Sequence, residues 1–369
     1  MNLYEVFTNN DFYKSSIYYL SSGIANPILE LTSANCYSFI EKYFSTGRKK
    51  AAFDVNFKAD YRAEGKHIHT VMLYMLGYHL REIVENVNNY LRNFVEANIV
   101  DSNESSWYDF RYTWFLTCLY HDIASVAEMN FAISVNNKDM DLEYYLKENN
   151  VLYNVYKHKS LKFNAPLFTY SEDLVRNYFF YRTDHCKKID HGIIGGYILF
   201  DRLIKNYNKA WINLKRKNLR DNDKFSYNNF EYANLSWRKE HQDHFALIAD
   251  SIIAHNIWHS DNWPLYINYE IEELVVKPGN KISISDRPLL FFLSLLDTIE
   301  PTKFFEDIDP IIVLKSIEMQ YNEISQKLCI EVLNPIFNYM QWFDKIKTLK
   351  DWLNVEISTM GTIIIIEII

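Results

Sequence analysis

Apolar residues recur every three to four positions through much of the chain, and this spacing predicts a mainly helical protein. Such a period places apolar side chains along one side of a helix, where they can face a common interior. We expect five strong helices, over about 67–94, 110–129, 190–206, 244–258 and 287–300. Ser285 or Asp286 can cap the fifth helix, with Pro288 in its first turn and Pro301 closing it.

The pattern changes after Pro301, where short runs rich in Ile and Val predict strands. We expect strands over 311–319 and 328–333, a helix over 337–349, and two strands within 355–369 around Gly361. The chain is therefore expected to end in a small α+β cap. Its Ile-rich last strand is expected inside a sheet, and a contact with a second copy of the chain, as in a homo-oligomer, is the alternative.

Two polar stretches interrupt the helical pattern and indicate insertions into a helical body. They lie near 136–183 and 205–243, each between two strong helices. The expected organisation is an N-terminal helical segment over 1–60, a helical domain over 61–303 that contains both insertions, and a C-terminal α+β subdomain over 304–369.

The balance of charges limits the partners of this chain of 369 residues. A net charge of −8 disfavours nucleic acid and anionic membrane surfaces unless basic residues are concentrated locally. The basic run 215–224 is such a concentration. A solvated loop is the preferred interpretation of this run, and contact with nucleic acid is the alternative.

Cysteine spacing and hydropathy indicate an intracellular protein. The four cysteines are far apart and form no Cys-x-x-Cys pair, so free thiols in a reducing compartment are expected. The apolar runs are too short to span a bilayer, and the first residues lack the order of a signal peptide. We therefore expect a cytoplasmic protein that has no membrane partner.

The pair His121-Asp122 lies in the apolar stretch 114–127, where we expect it to be buried in a helix. Burial of such a pair is costly unless it is hydrogen-bonded or holds a metal ion. The other strong helices also carry a histidine or an aspartate on their apolar sides. The resulting candidate metal ligands are His69, His121, Asp122, His191, His255 and Asp297.

These six side chains could hold two divalent ions if the helix faces converge. One carboxylate would then bridge the ions, and water would fill the open positions. Four imidazole ligands favour Mn, Fe, Co, Ni or Zn over Mg. Activated water beside a neutralised phosphoryl group suits the hydrolysis of a phosphate ester.

Other residues compete for these roles. Further histidines are found close to the candidate ligands, at His67, His185 and His259. His69 is preferred to His67 because it shares an apolar stripe with other residues of its helix. The glycines at 192, 195 and 196 could suggest a phosphate loop, but no strand precedes them. Close packing of two helices beside His191 is the preferred interpretation.

In this order, the candidate ligands resemble the HD superfamily of metal-dependent phosphohydrolases. The pattern of that family is an isolated His, a His-Asp pair, sometimes further His residues, and a distal Asp. The resemblance covers about 66–303, and the frame Lys66-x-x-His69-Thr70 is similar to the family's Arg-x-x-His-Ser. Segments similar to those of the family also surround three further candidate ligands, His191, His255 and Asp297.

The resemblance implies an HD-type helical bundle core and attack of metal-activated water on a phosphate. We expect His69, His121, Asp122 and Asp297 to hold one ion, and Asp122, His191 and His255 to hold a second. Lys66 is the candidate for steadying a phosphate oxygen, so the expected catalytic residues are His121, Asp122 and Lys66. Two departures bear on the substrate: Ser125 stands where many members have a lysine, and Lys66 replaces an arginine, which would bind phosphate with two parallel hydrogen bonds.

The sequence thus predicts a phosphohydrolase or phosphodiesterase that uses one or two divalent metal ions. Its expected substrate is a small-molecule phosphate ester, in particular a nucleotide. The alternative is a non-catalytic HD module that senses a nucleotide and binds a partner.

Overall fold

A computed structural model shows a mainly helical protein with a small C-terminal sheet. It describes residues 1–17, 24–45, 66–95, 110–125, 127–128, 141–159, 168–217, 226–232, 235–277, 281–334 and 338–369. The helices of these residues are α1 (Leu3–Thr8), α2 (Asn10–Ser16), α3 (Ser33–Ser45), α4 (Lys66–Ile83), α5 (Glu85–Val95), α6 (Phe110–Tyr120), α7 (Leu142–Glu148), α8 (Glu172–Asp184), α9 (His191–Lys217), α10 (His241–Ala254), α11 (Trp263–Asn268), α12 (Pro288–Ile299), α13 (Pro301–Phe304), α14 (Pro310–Lys315) and α15 (Tyr339–Lys347). The prediction of a mainly helical chain is confirmed.

The central helices are α4, α6, α9, α10 and α12, which contact one another around a continuous apolar core. Helix α12 is apolar on nearly all sides, and its residues from Pro288 to Leu296 are buried. A helix that is apolar all round belongs in the interior, because no side of it gains from contact with water. Its first turn follows Arg287, which makes no side-chain cap, so the prediction of a cap at Ser285 or Asp286 was wrong.

The helix that precedes His121-Asp122 ends earlier than predicted. Helix α6 stops at Tyr120, and residues 121–124 form a turn. The His121 N–H still bonds the Thr117 carbonyl, four residues back, but the Ile123 N–H bonds the Tyr120 carbonyl, three residues back. The prediction of an unbroken helix over 110–129 was therefore wrong at this turn, and the His-Asp pair lies at its start.

Glycines permit close contacts of α9 with both α6 and α10. A Cβ atom at Gly195 would lie 2.6 Å from the Tyr120 carbonyl oxygen, and one at Gly196 would lie 2.5 Å from the Ala249 carbonyl oxygen. Real Cβ atoms do not approach backbone oxygens so closely. The prediction that these glycines serve helix packing is confirmed, and helix α9 begins directly at His191 without a preceding strand.

The C-terminal part contains a four-stranded antiparallel sheet. Its strands are β3 (Ile317–Asn322), β4 (Lys327–Val332), β5 (Val355–Met360) and β6 (Ile363–Ile368), in the order β3-β4-β6-β5. A separate hairpin is formed by β1 (Asn229–Tyr232) and β2 (Leu235–Arg238). Strand β6 pairs with a strand on each side, which confirms the internal position predicted for the Ile-rich end.

The strand predicted over 311–319 was wrong in its first part, because 310–315 is helical, and was confirmed from Ile317, where β3 begins. Pro310 stands at the first position of α14, where its missing N–H costs nothing, and the Asp309 side chain accepts the N–H of Ile311. This cap outweighs the preference of Ile311, Ile312 and Val313 for strands.

The helix predicted over 190–206 is longer in the structure. Helix α9 continues to Lys217, so the first part of the basic run is helical, while 218–225 lies outside the described residues. The four cysteines form no disulfide, as expected. Among the described residues, none of the helices is both long and apolar enough to cross a membrane.

Candidate metal centre

Five separate parts of the fold bring the six candidate ligands to one buried region. Two ligands come from the turn after α6, and the others come from α4, from the start of α9, from the residue after α10 and from α12. In chain order they are His69, His121, Asp122, His191, His255 and Asp297. His69 and Asp297 follow the buried stripes of α4 and α12, His191 is the first residue of α9, and His121, Asp122 and His255 directly follow the buried ends of α6 and α10.

The closest group combines two imidazoles with two carboxylates. The Nε2 atoms of His69 and His121 are 3.1 Å apart. Asp297 Oδ1 lies 3.1 Å from the first of these nitrogens and 3.5 Å from the second. Asp122 Oδ2 lies 3.8 Å and 3.7 Å from the same two nitrogens. His69, His121 and Asp122 are buried, and together they could hold a metal ion.

A second group lies on the other side of Asp122. The Nε2 atom of His191 is 3.3 Å from Asp122 Oδ1, the oxygen that does not face His69. The His255 ring stands next to both His121 and His191, with 5.5 Å between ring centroids in each pair. Asp122 thus presents one oxygen to each group, which is the arrangement of a bridging carboxylate.

The Nδ1 atoms of all four histidines are hydrogen-bonded to acceptors. The acceptors are Glu300 for His69 at 2.9 Å, the Cys118 carbonyl for His121 at 2.8 Å, Glu128 for His191, and the Ile252 carbonyl for His255 at 2.6 Å. An acceptor at Nδ1 keeps a proton on that nitrogen and leaves Nε2 as the atom that can bind a metal. The four rings are therefore oriented as metal ligands.

The Nε2 atom of His255 tests whether the site fits a cation. It is buried and has no hydrogen-bond partner among the described residues. A buried nitrogen lone pair without a partner costs about 1–3 kcal/mol. Because Nδ1 holds the proton in the neutral ring, Nε2 carries a lone pair and cannot donate a hydrogen bond. This lone pair could coordinate a metal ion.

Charge holds both carboxylates in the ionised form that a metal requires. Burial opposes the ionisation of Asp122, but the charges of His121 and His191 and of two nearby lysines outweigh it and keep its pKa well below the ordinary value. Burial opposes the ionisation of Asp297 as well, and Lys303 again outweighs it, so the pKa of this carboxyl is also strongly lowered.

The histidines divide into two kinds. Burial lowers the pKa of His121, and burial together with the charges of His191 and His121 lowers the pKa of His255 to about 3. Burial opposes the charged form of His69 and His191 too, but hydrogen bonds to carboxylates outweigh it and raise the pKa of each. In His69 and His191 the carboxylate partners therefore favour the protonated form.

Two lysines stand at the edge of the first group. Lys66 Nζ lies 2.7 Å from Asp122 Oδ2, and Lys303 Nζ lies 2.6 Å from Asp297 Oδ1. Both line a cleft of about 180 Å³ that reaches His69. Glu306 lines the same cleft, so an anion there would meet two ammonium groups and one acidic side chain beside the candidate ligands.

Sequence reasoning missed three functional residues, Glu128, Glu300 and Lys303. Glu300 and Lys303 follow Asp297 by three and six residues, close to a distal aspartate that the pattern had already identified. Glu128 follows Asp122 by six residues, beyond the turn that ends α6. Searching for carboxylates within two turns of each candidate ligand would have found both glutamates.

The competing histidines have other partners. His67 Nδ1 is hydrogen-bonded to Ser33 Oγ, the His259 ring to the Tyr170 hydroxyl, and His185 stacks on the Tyr181 ring. The preference for His69 over His67 therefore agrees with the geometry, because the ring of His69 is the one that faces His121.

Glu300 is hydrogen-bonded both to His69 and to the first turn of the next helix, α13. One of its oxygens accepts both the His69 Nδ1–H and the Lys303 N–H, and the other accepts the Thr302 N–H and hydroxyl. An amide has one acceptor oxygen and one NH2 group. In Glu300→Gln, one of the two pairs of donors would therefore face an NH2 donor in place of an acceptor. We expect this variant to bind the first ion about 10- to 100-fold more weakly, as measured by competition with a fluorescent chelator.

Asp309→Asn is the matched control for that variant. It removes the same charge at the cap of the neighbouring helix α14, and Asp309 is bonded to the Ile311 N–H. Equal metal affinity in Glu300→Gln and the wild type would show that the carboxylate of Glu300 does not support His69.

Gly192 leaves room for the imidazole of His255. A Cβ atom at this position would lie 2.8 Å from His255 Cε1, 2.9 Å from its Nδ1 and 2.8 Å from the Ile252 carbonyl oxygen, which accepts the Nδ1–H of the same ring. We expect Gly192→Ala to displace the ring and lower the affinity for a second ion, with an overpacking cost of about 1–3 kcal/mol. Co²⁺ titration and urea unfolding measure the two effects separately.

Gly196→Ala is the control, because its Cβ would meet the Ala249 carbonyl and Ile253 but not His255. We expect it to lower stability at least as much and second-ion affinity much less. Equal losses of second-ion affinity in the two variants would mean that helix separation, and not displacement of His255, is responsible.

Comparison of the chain with protein-family models, with curated proteins and with solved structures gave no match. The inference of function therefore depends on the residues and their geometry.

Proposed function

We propose that this protein is a divalent-metal-dependent phosphohydrolase with an HD-type helical core. The observation that carries the proposal is the orientation of the four histidines, whose Nδ1 atoms are engaged while their Nε2 atoms face a buried region shared with Asp122 and Asp297. Structural histidines in a core need no such common direction. The order of these residues along the chain, which resembles the HD superfamily, supports the same proposal.

Two groups of ligands share Asp122 in this proposal. His69, His121, Asp122 and Asp297 would hold one ion, and Asp122, His191 and His255 would hold the second. The opposite directions of the two Asp122 oxygens support the bridging role. The nitrogen-rich ligands favour Mn, Fe, Co, Ni or Zn over Mg.

Divalent ions held by these residues would lower the pKa of bound water to near neutrality and would neutralise negative charge on a phosphoryl group. The protein's own contribution is to place cations and exclude solvent. Lys66 and Lys303 line the cleft beside His69, where both ammonium groups can bind phosphate oxygens. Each pairs with a ligand carboxylate, and uptake of the carboxylate charge by a metal would free the ammonium group for the substrate.

Lys303 bears on the two departures from the family pattern. The chain has Ser125 where many members have a lysine, and it has Lys66 in place of an arginine. The ammonium of Lys303 adds a second cation to the cleft from α13. The expected substrate class is a phosphate ester, with nucleotides as the leading candidates.

Metal analysis and hydrolysis assays on the purified protein test this proposal. The panel should contain a phosphomonoester, a phosphodiester, cyclic nucleotides and nucleoside triphosphates, each with Mn²⁺, Co²⁺, Ni²⁺, Zn²⁺ or Mg²⁺ and with a chelator control. We expect bound transition metal and hydrolysis of at least one class, lost with the chelator. Absence of both would contradict the proposal, and a nucleotide that binds but survives long incubation with metal would indicate the sensing module instead.

A further inference from the structure

A charged network supports the second group of ligands from outside the five central helices. Its centre is Arg182, on α8, in a part of the chain where the sequence pattern predicts an insertion. The side chain of Arg182 is largely buried, with 18% of its surface exposed. It reaches the candidate ligands through two carboxylate side chains, Glu128 and Asp190.

The first connection leads to His191. Arg182 Nη2 lies 2.7 Å from one oxygen of Glu128, and the other oxygen of Glu128 accepts the His191 Nδ1–H. Burial opposes the ionisation of Glu128, but His191 and then Arg182 outweigh it and lower its pKa. Arg182 and His191 thus hold one carboxylate between them, and this carboxylate sets the direction of the His191 ring.

The second connection leads to the segment that carries His255. Arg182 Nε lies 3.6 Å from Asp190 Oδ2, an ion pair with a fully buried carboxylate. The same oxygen accepts the Asn256 Nδ2–H at 2.8 Å, and Asp190 Oδ1 accepts the Ile193 N–H in the first turn of α9. Asn256 directly follows His255, and Asp190 directly precedes His191.

Both ligands that belong to the second ion alone are therefore anchored through the partners of one guanidinium group. Glu128 and Asp190 are two carboxyl groups in a buried region. Burial raises the pKa of Asp190 and the charge of Arg182 opposes this rise, so Arg182 favours the ionised form of both carboxyl groups. A planar guanidinium can meet two carboxylates along different edges, whereas an ammonium is a single point charge. The Glu300 connection to His69, on the first group, does not involve this network.

We propose that Arg182 is a positioning residue for the second metal ion, and that α8 is thereby part of the metal centre. This inference rests on the proposed two-ion site. It predicts that loss of Arg182 weakens the second ion selectively and leaves the first ion in place. A residue that only stabilises the fold would affect both ions or neither.

Co²⁺ titration of the full chain, followed by visible absorption and by metal analysis, tests the inference. We expect two ions in the wild type. Arg182→Met should bind the first with unchanged affinity and the second about 10- to 100-fold more weakly, with loss of the absorption contributed by the second ion. Arg182→Lys should restore part of the second-ion affinity, because an ammonium can satisfy one carboxylate but not both.

Arg176→Met is the matched control on the same helix. Its side chain is 46% exposed and lies 3.7 Å from Glu143, away from the network. We expect this variant to bind both ions as the wild type does. Glu128→Gln provides a second test if Arg182→Met does not fold, since it removes the charge between Arg182 and His191 but keeps an acceptor oxygen.

The outcomes distinguish failure of the proposed function from failure of the proposed role of Arg182. A wild type that binds no transition metal would overturn the proposed function itself. A wild type with two ions, and unchanged second-ion affinity in Arg182→Met, would overturn only the positioning role, as would equal weakening of both ions. Unchanged second-ion affinity in Glu128→Gln would have the same meaning.

Discussion

Asp122→Asn is expected to abolish metal-dependent hydrolysis and to lower the bound metal from two ions to at most one weakly held ion. Both groups of ligands use this carboxylate, one through each oxygen, so a single substitution removes a charge from both sites. Charge stabilisation by a catalytic metal is worth several kcal/mol. At about 1.4 kcal/mol for each factor of ten, the rate should fall by roughly 10³-fold or more.

The measurement combines steady-state hydrolysis of the best substrate with metal analysis of the same preparation. Asp201→Asn is the control, because Asp201 is equally buried but accepts the N–H groups of Leu152 and Tyr153. We expect this control to keep both ions. Full activity and full metal content in Asp122→Asn would show that the His-Asp pair is not the centre of the site.

The local pattern was sufficient to select the candidate ligands, because each follows apolar residues at helical spacing, even where the helix itself has ended, as at His121 and His255. His69 follows the apolar stripe of α4, and Asp297 follows that of α12, so a spacing of three or four residues places both in the interior. A polar side chain in such a stripe is recognisable without knowledge of the fold. Because five predicted helices carry such a stripe, the sequence alone supported the proposal that the stripes meet in one interior.

The supporting residues could not be found in this way. Glutamate is common on protein surfaces, and only the tertiary structure shows that Glu128 and Glu300 bond His191 and His69. Arg182 lies in a segment that carries no candidate ligand, and its proposed role depends on two carboxylates that belong to other elements, Glu128 and Asp190. Tertiary contacts, which no local period encodes, determine these roles.

Two elements begin or end at other residues than the hydrophobic pattern predicts. The first part of the strand predicted over 311–319 is helical because Asp309 and Pro310 begin a helix there. The helix before Asp122 ends at Tyr120, and the turn that follows brings the carboxylate beside Lys66. Periodicity averages over many residues, so it does not resolve a cap or a single turn.

His255→Leu is expected to remove the second ion and yet make the metal-free protein more stable in acid. The folded pKa of His255 is lowered to about 3, whereas an unfolded histidine titrates near 6.5. As the pH falls below 6.5, the unfolded wild-type chain gains a proton that the folded chain does not, so the wild type loses stability. At pH 5 this loss is about 2 kcal/mol, and leucine, of similar volume, does not incur it.

Above pH 7 that difference should be small. The variant loses the hydrogen bond from Nδ1 to the Ile252 carbonyl, worth about 1 kcal/mol, and it removes the unpartnered Nε2, whose burial costs about 1–3 kcal/mol. Urea unfolding in the presence of a chelator, at pH 5 and pH 8, measures the change. The stability gain of the variant over the wild type should grow by about 2 kcal/mol between these values.

His79→Leu separates the two effects of that substitution. His79 is also buried, its pKa is lowered to about 4 by burial, and it packs against Phe7 and Phe12, away from the candidate ligands. We expect it to show the same kind of acid stabilisation while both ions remain bound. Two bound ions in His255→Leu would contradict the role of His255 as a ligand.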